Sequence, residues 1–269
     1  MIKIETLNYI IFLIIFIGLF FFLLYNQNKI KEYEKTYSYF DGINIKLYTN
    51  KNCNKIFDKI EDILINYDKN KLLEYGISVN SKTKGFVNIY KGSIQNIYKD
   101  SKIKSVKPIY KDNNEISYDL IIKSYLINEI KEYLEKNKIY SYLINMKDNY
   151  LLGDSKGRKF TFALEKPFTD DYLLFLDLNN TAISTVGPYL NYYVADNNLY
   201  HNLINPNTLK QENNYKSVTV ITESPLDAQM LANYLYFLSI EDGKKILDKY
   251  NAEAIWYTND DKLEKYPRK

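Results

Sequence analysis

Residues 120–146 read LIIKSYLINEIKEYLEKNKIYSYLINM. Ile122, Tyr125, Leu126, Ile130, Tyr133 and Leu134 recur at i, i+3 and i+4, so the spacing predicts an amphipathic helix over 120–137. The following 140–146 is a short apolar piece of strand length. A helix running straight into a strand sets the question for the rest of the chain: whether the two alternate in a regular βαβ pattern or are mixed.

They are mixed. Toward the N-terminus, Ile43, Ile45 and Leu47 alternate with Asn44 and Lys46, which predicts a strand over 43–48. Ile56, Ile60, Ile63, Leu64 and Tyr67 share one helical face over 56–67. The stretch 76–115 is punctuated by Gly76, Gly85, Gly92 and Pro108 and reads as short strands or loops. Toward the C-terminus, strands are expected at 160–164, 172–177 and 217–221. Ser224-Pro225 caps and opens a helix running to about residue 238. A helix over 241–250 and a strand over 254–257 follow. There is no regular βαβ repeat and no internal repeat, so the fold class is α+β.

Composition closes off several functions. The single cysteine, Cys53, excludes a disulfide scaffold and a thiolate zinc site, and the single histidine, His201, excludes a two-histidine metal motif. A Cys–His dyad is open only if Cys53 meets His201. Lysines are scattered among acids for a net charge of +3, and Arg158 and Arg268 are the only arginines, so nucleic acid is not an expected partner. The 46% hydrophobic content is enough for a core, which excludes a disordered polymer.

The uncharged run YIIFLIIFIGLFFFLLY at 9–25 spans roughly 26 Å as a helix, at the short end of a bilayer crossing. Tyr9 and Tyr25 stand where amphipathic rings favour the interface. No small-x-small cleavage site follows, so the run reads as an uncleaved transmembrane signal anchor. The expected organisation is therefore an N-terminal flank (1–8), the anchor (9–25), a stalk (26–39) and a single domain (40–269). Lys3 before the anchor and Lys29, Lys31 and Lys35 after it lean slightly toward a cytoplasmic domain and do not settle its side.

Five segments, in order, resemble the ApbE family, the flavin transferases that move FMN from FAD onto a Ser or Thr of a partner protein. ISYDLIIKSYLIN (116–128) lines up with a segment ending KGYxxD, and YLINMKDN (142–149) with a strand ending NxGGD. AISTVGPY (182–189) is similar to TSGDY, and HNLINPNTL (201–209) to HxIxDPxTG. SVTV (217–220), leading into DAQMLANYL (227–235), stands where the family has a strand and then a helix with ADxxxTA. The resemblance covers about residues 40–257.

What the resemblance implies is an ApbE-like mixed domain of sheet and helix behind one transmembrane helix. FAD would be the substrate, and an extracytoplasmic flavoprotein the acceptor. The domain would sit outside the cytoplasmic membrane. It nominates His201 and Lys123 as catalytic, and Asn145, Thr185, Gly187, Asn205 and Thr208 as flavin-binding. The family's Mg²⁺ ligands, an Asp and a Thr four apart on one helix face, fall on Gln229 and Asn233. Lys147 and Asp148 stand where the family has paired glycines. Two neutral amides hold Mg²⁺ weakly, since that ion prefers hard anionic oxygen. The alternative reading is accordingly a catalytically inactive ApbE-like module that binds flavin or a protein.

Overall fold

The structure is a computed structural model and describes residues 12–19, 29–90, 116–154, 159–195, 197–208 and 210–267. Its centre is an eight-stranded sheet. In chain order the strands are β1 (Lys31–Tyr37), β2 (Ile43–Thr49), β3 (Tyr142–Met146), β4 (Asn149–Leu152), β7 (Thr181–Val186), β12 (Ser217–Thr222), β13 (Glu253–Tyr257) and β14 (Leu263–Tyr266). They lie side by side in that same order, and every neighbouring pair is antiparallel. The α+β class stands, with a sheet made by successive antiparallel neighbours.

The central strands β7 and β12 are buried along their whole length. A strand sends alternate side chains to opposite faces, and both faces here are covered. Ala182, Val186, Val218 and Val220 join the larger core under the helices. Ile183 and Ile221 join a smaller cluster with Phe160 and Leu164. That cluster lies beneath the hairpin of β5 (Phe160–Glu165) and β6 (Tyr172–Leu178), whose six paired positions run from Phe160↔Leu178 to Glu165↔Tyr172.

Among the described residues of the domain, five helices accompany the sheet: α1 (Asn54–Ile65), α2 (Lys69–Lys82), α3 (Ile122–Lys136), α4 (Pro225–Tyr236) and α5 (Ile240–Leu247). Helix α4 lies on β7 and β12, α3 packs on α4, and α1 packs on α3. Ser224 caps α4, its Oγ accepting the Asp227 N–H at 3.2 Å, and Pro225 sits in the first turn, as the sequence indicated. Nearly every residue of α4 is buried, which explains why its apolar pattern is continuous rather than striped.

Two regions differ from the sequence expectation. Residues 69–82, partly assigned to short strands or loops, form α2. Asp68 caps it by accepting the Asn70 and Lys71 N–H groups at 2.9 and 3.2 Å, and Leu72, Gly76 and Val79 are its buried positions. Gly76 is a packing residue and not a turn: a Cβ there would lie 2.7 Å from Ile89 Cδ1. Residues 31–37, expected within a stalk, form β1, the first edge strand. Tyr37 fixes it by donating its hydroxyl to the Phe57 carbonyl at 2.9 Å, and Lys35 pairs with Glu61 at 2.9 Å. The outward Lys31, Glu32 and Glu34 keep that open edge charged.

Most of 9–25 and all of 91–115 lie outside the described residues. Residues 12–19 are helical, with Phe12, Leu13, Ile14, Ile15, Phe16, Ile17 and Leu19 all exposed. Among the described residues no helix is long and apolar enough to cross a membrane.

Candidate functional site

At one end of the sheet the chain leaves a cleft of about 270 Å³. Its wall is assembled from pieces far apart in sequence. The β1–β2 turn gives Phe40 and Asp41, and the start of α3 gives Asp119, Leu120, Ile122 and Lys123. The β3–β4 turn adds Lys147 and Asp148, the end of β7 adds Thr185, Val186 and Gly187, and α4 adds Gln229 and Asn233. Leu190, Asn191, Asn202 and Leu203 come from the excursion between β7 and β12. That excursion holds a 3₁₀ turn (Pro188–Leu190), the hairpin β8 (Tyr192–Ala195) with β9 (Asn198–His201), and the two-residue strands β10 (Ile204–Asn205) and β11 (Lys210–Gln211).

Five of the nine residues nominated from sequence line this cleft: Lys123, Thr185, Gly187, Gln229 and Asn233. Four do not: Asn145, Asn205 and His201 are engaged elsewhere, and Thr208 is exposed. Asn145 Oδ1 accepts the Lys147 N–H at 2.9 Å and holds the β3–β4 turn. Asn205 accepts the Asn207 N–H at 2.8 Å and donates to Glu212 at 2.6 Å, so it builds the turn around Pro206. Thr208 is exposed in the same turn.

His201 is 1% exposed. The Leu203 N–H donates to its Nδ1 at 3.2 Å, which leaves Nε2 as the protonated nitrogen, 2.6 Å from Asn213 Oδ1. Burial pushes its pKa below the ordinary value, opposed by the Asn213 bond. Both ring nitrogens are taken, so in this geometry the imidazole ties the rim together and has no free atom for a ligand. Cys53 is buried and its thiol faces the Lys51 carbonyl, so the two residues form no dyad.

Within the cleft, Lys123 Nζ forms an ion pair with Asp148 Oδ1. In the sequence Asp148 shows only as a side chain standing where the ApbE family has a glycine. The pairing needed the register of β3 on β4 and the position of α3, neither of which a linear pattern carries. Lys147 beside it has φ 66°, a left-handed conformation that a side chain adopts only at a cost. Gly187 is a close-approach glycine, since a Cβ there would lie 2.6 Å from the Lys216 carbonyl oxygen. Thr185 bonds Thr219 across β7 and β12, Oγ1 to Oγ1 at 3.0 Å.

Gln229 and Asn233 lie on successive turns of α4 and are 3% and 6% exposed. Gln229 Oε1 accepts the Ser124 N–H at 3.0 Å. Asn233 Nδ2 donates to the Gln229 carbonyl at 2.9 Å and reaches the Leu120 carbonyl at 3.5 Å. This pair does not fit Mg²⁺: neither residue is anionic, and one of the two oxygens already accepts a backbone N–H. Asp227, two positions from Gln229, does not line the cleft. Among the described residues no group of three or more His, Cys, Asp or Glu is gathered as a metal site.

A second, smaller cavity shares Lys147, Asp148, Thr185 and Leu190 and is otherwise lined by Tyr150, Phe162, Tyr189 and Glu165 among others. Burial holds the phenols of Tyr150 and Tyr189 protonated, helped by the charges of Glu165 and Asp148. As a whole the site offers neutral amides, the Lys123–Asp148 ion pair, the further charged side chains of Asp41, Asp119, Lys147 and Glu165, and un-ionised phenols. It is built to hydrogen-bond a polar ligand.

Comparison with known proteins places these features together. The ApbE family model matches residues 27–256. An FAD:protein FMN transferase of Klebsiella pneumoniae (strain 342) is 30% identical over 149 residues, 54% of this chain and 46% of that protein. One of Escherichia coli (strain K12) is 28% identical over 159 residues, 56% and 45% of the two chains. The chain thus spans about half the length of these curated relatives. Among solved structures, the flavin transferase ApbE from Vibrio cholerae matches with a TM-score of 0.71 at 17% identity, covering 88% of this chain and 97% of that one. The ApbE protein from Thermotoga maritima matches with a TM-score of 0.73 at 16% identity, covering 87% and 96%. At those identities the structural likeness speaks for the fold.

Proposed function

The chain belongs to the ApbE family, and from that premise we propose that its cleft takes the flavin nucleotide FAD and that the protein is an FAD:protein FMN transferase. In this reaction a Ser or Thr hydroxyl of an acceptor protein bonds to the phosphorus of the FMN half, the bridging P–O bond breaks, and AMP leaves. The observation that carries the reading is the convergence of Lys123, Thr185, Gly187, Gln229 and Asn233, from three of the five family-like segments, on one cleft. Lys123 is the shielded cation there and suits a pyrophosphate, provided it exchanges Asp148 for the ligand.

A second reading has its own observation. The helix positions expected to hold Mg²⁺ carry amides, and Lys123 is already neutralised by Asp148. That favours an ApbE-like module that binds flavin or a protein without transferring FMN.

We place the domain on the extracytoplasmic side, held by the apolar run 9–25, with an acceptor flavoprotein on that side. Supporting this are the length and aromatic ends of the run and the exposed apolar side chains of residues 12–19.

The test joins two measurements. Flavin fluorescence quenching on the purified full chain reads FAD binding. In-gel flavin fluorescence of membranes from cells with and without the chain reads transfer. Binding together with a chain-dependent fluorescent band establishes the transferase. Binding with no such band establishes the second reading, and no binding overturns both flavin readings.

A further inference from the structure

The orientation of the Gln229–Asn233 pair is dictated by its neighbours. A backbone N–H can only donate, so the Gln229 atom 3.0 Å from Ser124 N is Oε1. Carbonyl oxygens can only accept, so the Asn233 atom facing the Gln229 and Leu120 carbonyls is Nδ2. What each side chain has left is the opposite group. Gln229 keeps its Nε2 amide hydrogens, and Asn233 keeps its Oδ1.

Neither leftover atom has a partner among the described residues, and neither is sealed from the cleft. Both residues are more than nine-tenths buried and both line the cleft. The wall therefore offers one hydrogen-bond donor and one acceptor, a helical turn apart. At these two positions a cation would meet the positive end of the Gln229 amide and a single neutral oxygen; the carboxylates of the cleft, Asp41, Asp119 and Asp148, come from other elements, and Asp148 is paired with Lys123. A neutral group carrying an acceptor beside a donor would satisfy both atoms, and leaving them unmatched on binding would cost affinity.

We propose that Gln229 and Asn233 hold a neutral donor–acceptor edge of the ligand directly, in place of a divalent cation, and that ligand binding in this cleft is metal-independent. The chemistry required is that of an amide or imide, which a flavin ring and an aminopurine both present. This deepens the flavin-nucleotide reading and rests on it for the choice of ligand.

The experiment uses the full chain. FAD, FMN and ADP are titrated in EDTA and again in millimolar Mg²⁺, and Mn²⁺ alone is titrated by electron paramagnetic resonance. The expected result is an FAD affinity within twofold in the two buffers, no stoichiometric Mn²⁺, and a loss of tenfold or more in Gln229→Leu and Asn233→Leu. FMN retaining the variant sensitivity assigns the edge to the flavin ring, and ADP retaining it assigns the edge to adenine. Gln229→Glu, nearly isosteric and therefore least disturbing to the fold, removes the donor and is expected to weaken binding in EDTA and to introduce Mn²⁺ binding. Tightening of wild-type FAD binding by Mg²⁺ of tenfold or more, or stoichiometric Mn²⁺ on the wild-type chain, overturns the proposal. If no nucleotide binds in either buffer, the flavin reading and the ligand half of the proposal both fall. The Mn²⁺ titration then still decides the metal half.

Discussion

Lys123 in the first turn of α3 and Asp148 in the β3–β4 turn, 25 residues apart, form an ion pair in the wall of the cleft, with side chains 15% and 22% exposed. An anionic ligand has to compete with that carboxylate for the ammonium. Asp148→Asn is therefore expected to tighten pyrophosphate or ADP binding several-fold at low salt, with the gain shrinking as salt is raised. Shielding is partial, so the loss of fold stability should be modest, about 1–2 kcal/mol by urea titration. Unchanged or weaker anion binding would mean that Lys123 is not the anion's contact.

Lys147 adopts φ 66° next to that pair. Glycine relieves the left-handed penalty while adding unfolded-state freedom, and the first effect is the larger. Lys147→Gly should stabilise the fold by about 0.5–1 kcal/mol, read as a rise in denaturation midpoint. A fall would show that the lysine side chain makes a contact worth more than the strain.

The buried imidazole of His201 gives the fold a pH dependence. Its folded pKa lies below the ordinary 6.5, so on acidification the unfolded chain takes up the proton first. The stability contributed by neutral His201 is complete above pH 6.5 and is lost as pH falls toward the depressed folded value. Urea unfolding between pH 7.5 and 5 should show stability dropping, with the drop reduced in His201→Gln. Equal slopes for the two proteins would refute the assignment.

Ser184 on β7 and Asn149 on β4 stand directly opposite each other, and Ser184 Oγ and Asn149 Nδ2 are buried with no partner among the described residues. A buried polar atom left unbonded costs about 1–3 kcal/mol. Ser184→Ala removes one such atom with little change of volume and is expected to raise the melting temperature. A lower melting temperature would reveal a bond or a bound water at that hydroxyl.

How much of this was legible in the sequence depended on whether the signal was local. Helix α3, the cap of α4 at Ser224-Pro225 and the strands β2, β3, β12 and β13 rest on periodicity within one segment, and they formed within a residue or two of expectation. Helix α2 was hidden because Gly76 reads as a breaker, whereas its role is to let Ile89 approach the helix. β1 was hidden because an edge strand needs no buried face and its composition is that of a polar linker. At the site, Lys123, Thr185, Gly187, Gln229 and Asn233 come together in one cleft because α3, β7 and α4 fix their positions. His201 and Asn205 shared their segment with a rim turn, and their side chains are spent on holding it. Chemical type alone could not separate a ligand-binding amide from a turn-building one.

The rim has a consequence for how such a protein can change over time. β7 and β12 are bonded neighbours, with Val186 opposite Val218, yet the chain between them wanders through residues 187–216 before returning. Because the two ends of that excursion are clamped a strand's width apart, lengthening it adds only about 0.6 kcal/mol of closure cost for each doubling. Leu190, Asn191 and Asn202 can thus be swapped or inserted around without disturbing the sheet, whereas Leu203 is buried in the larger core. The rim behaves as an exchangeable cassette on a fixed sheet, so what it contacts can drift while the floor of the cleft stays as it is.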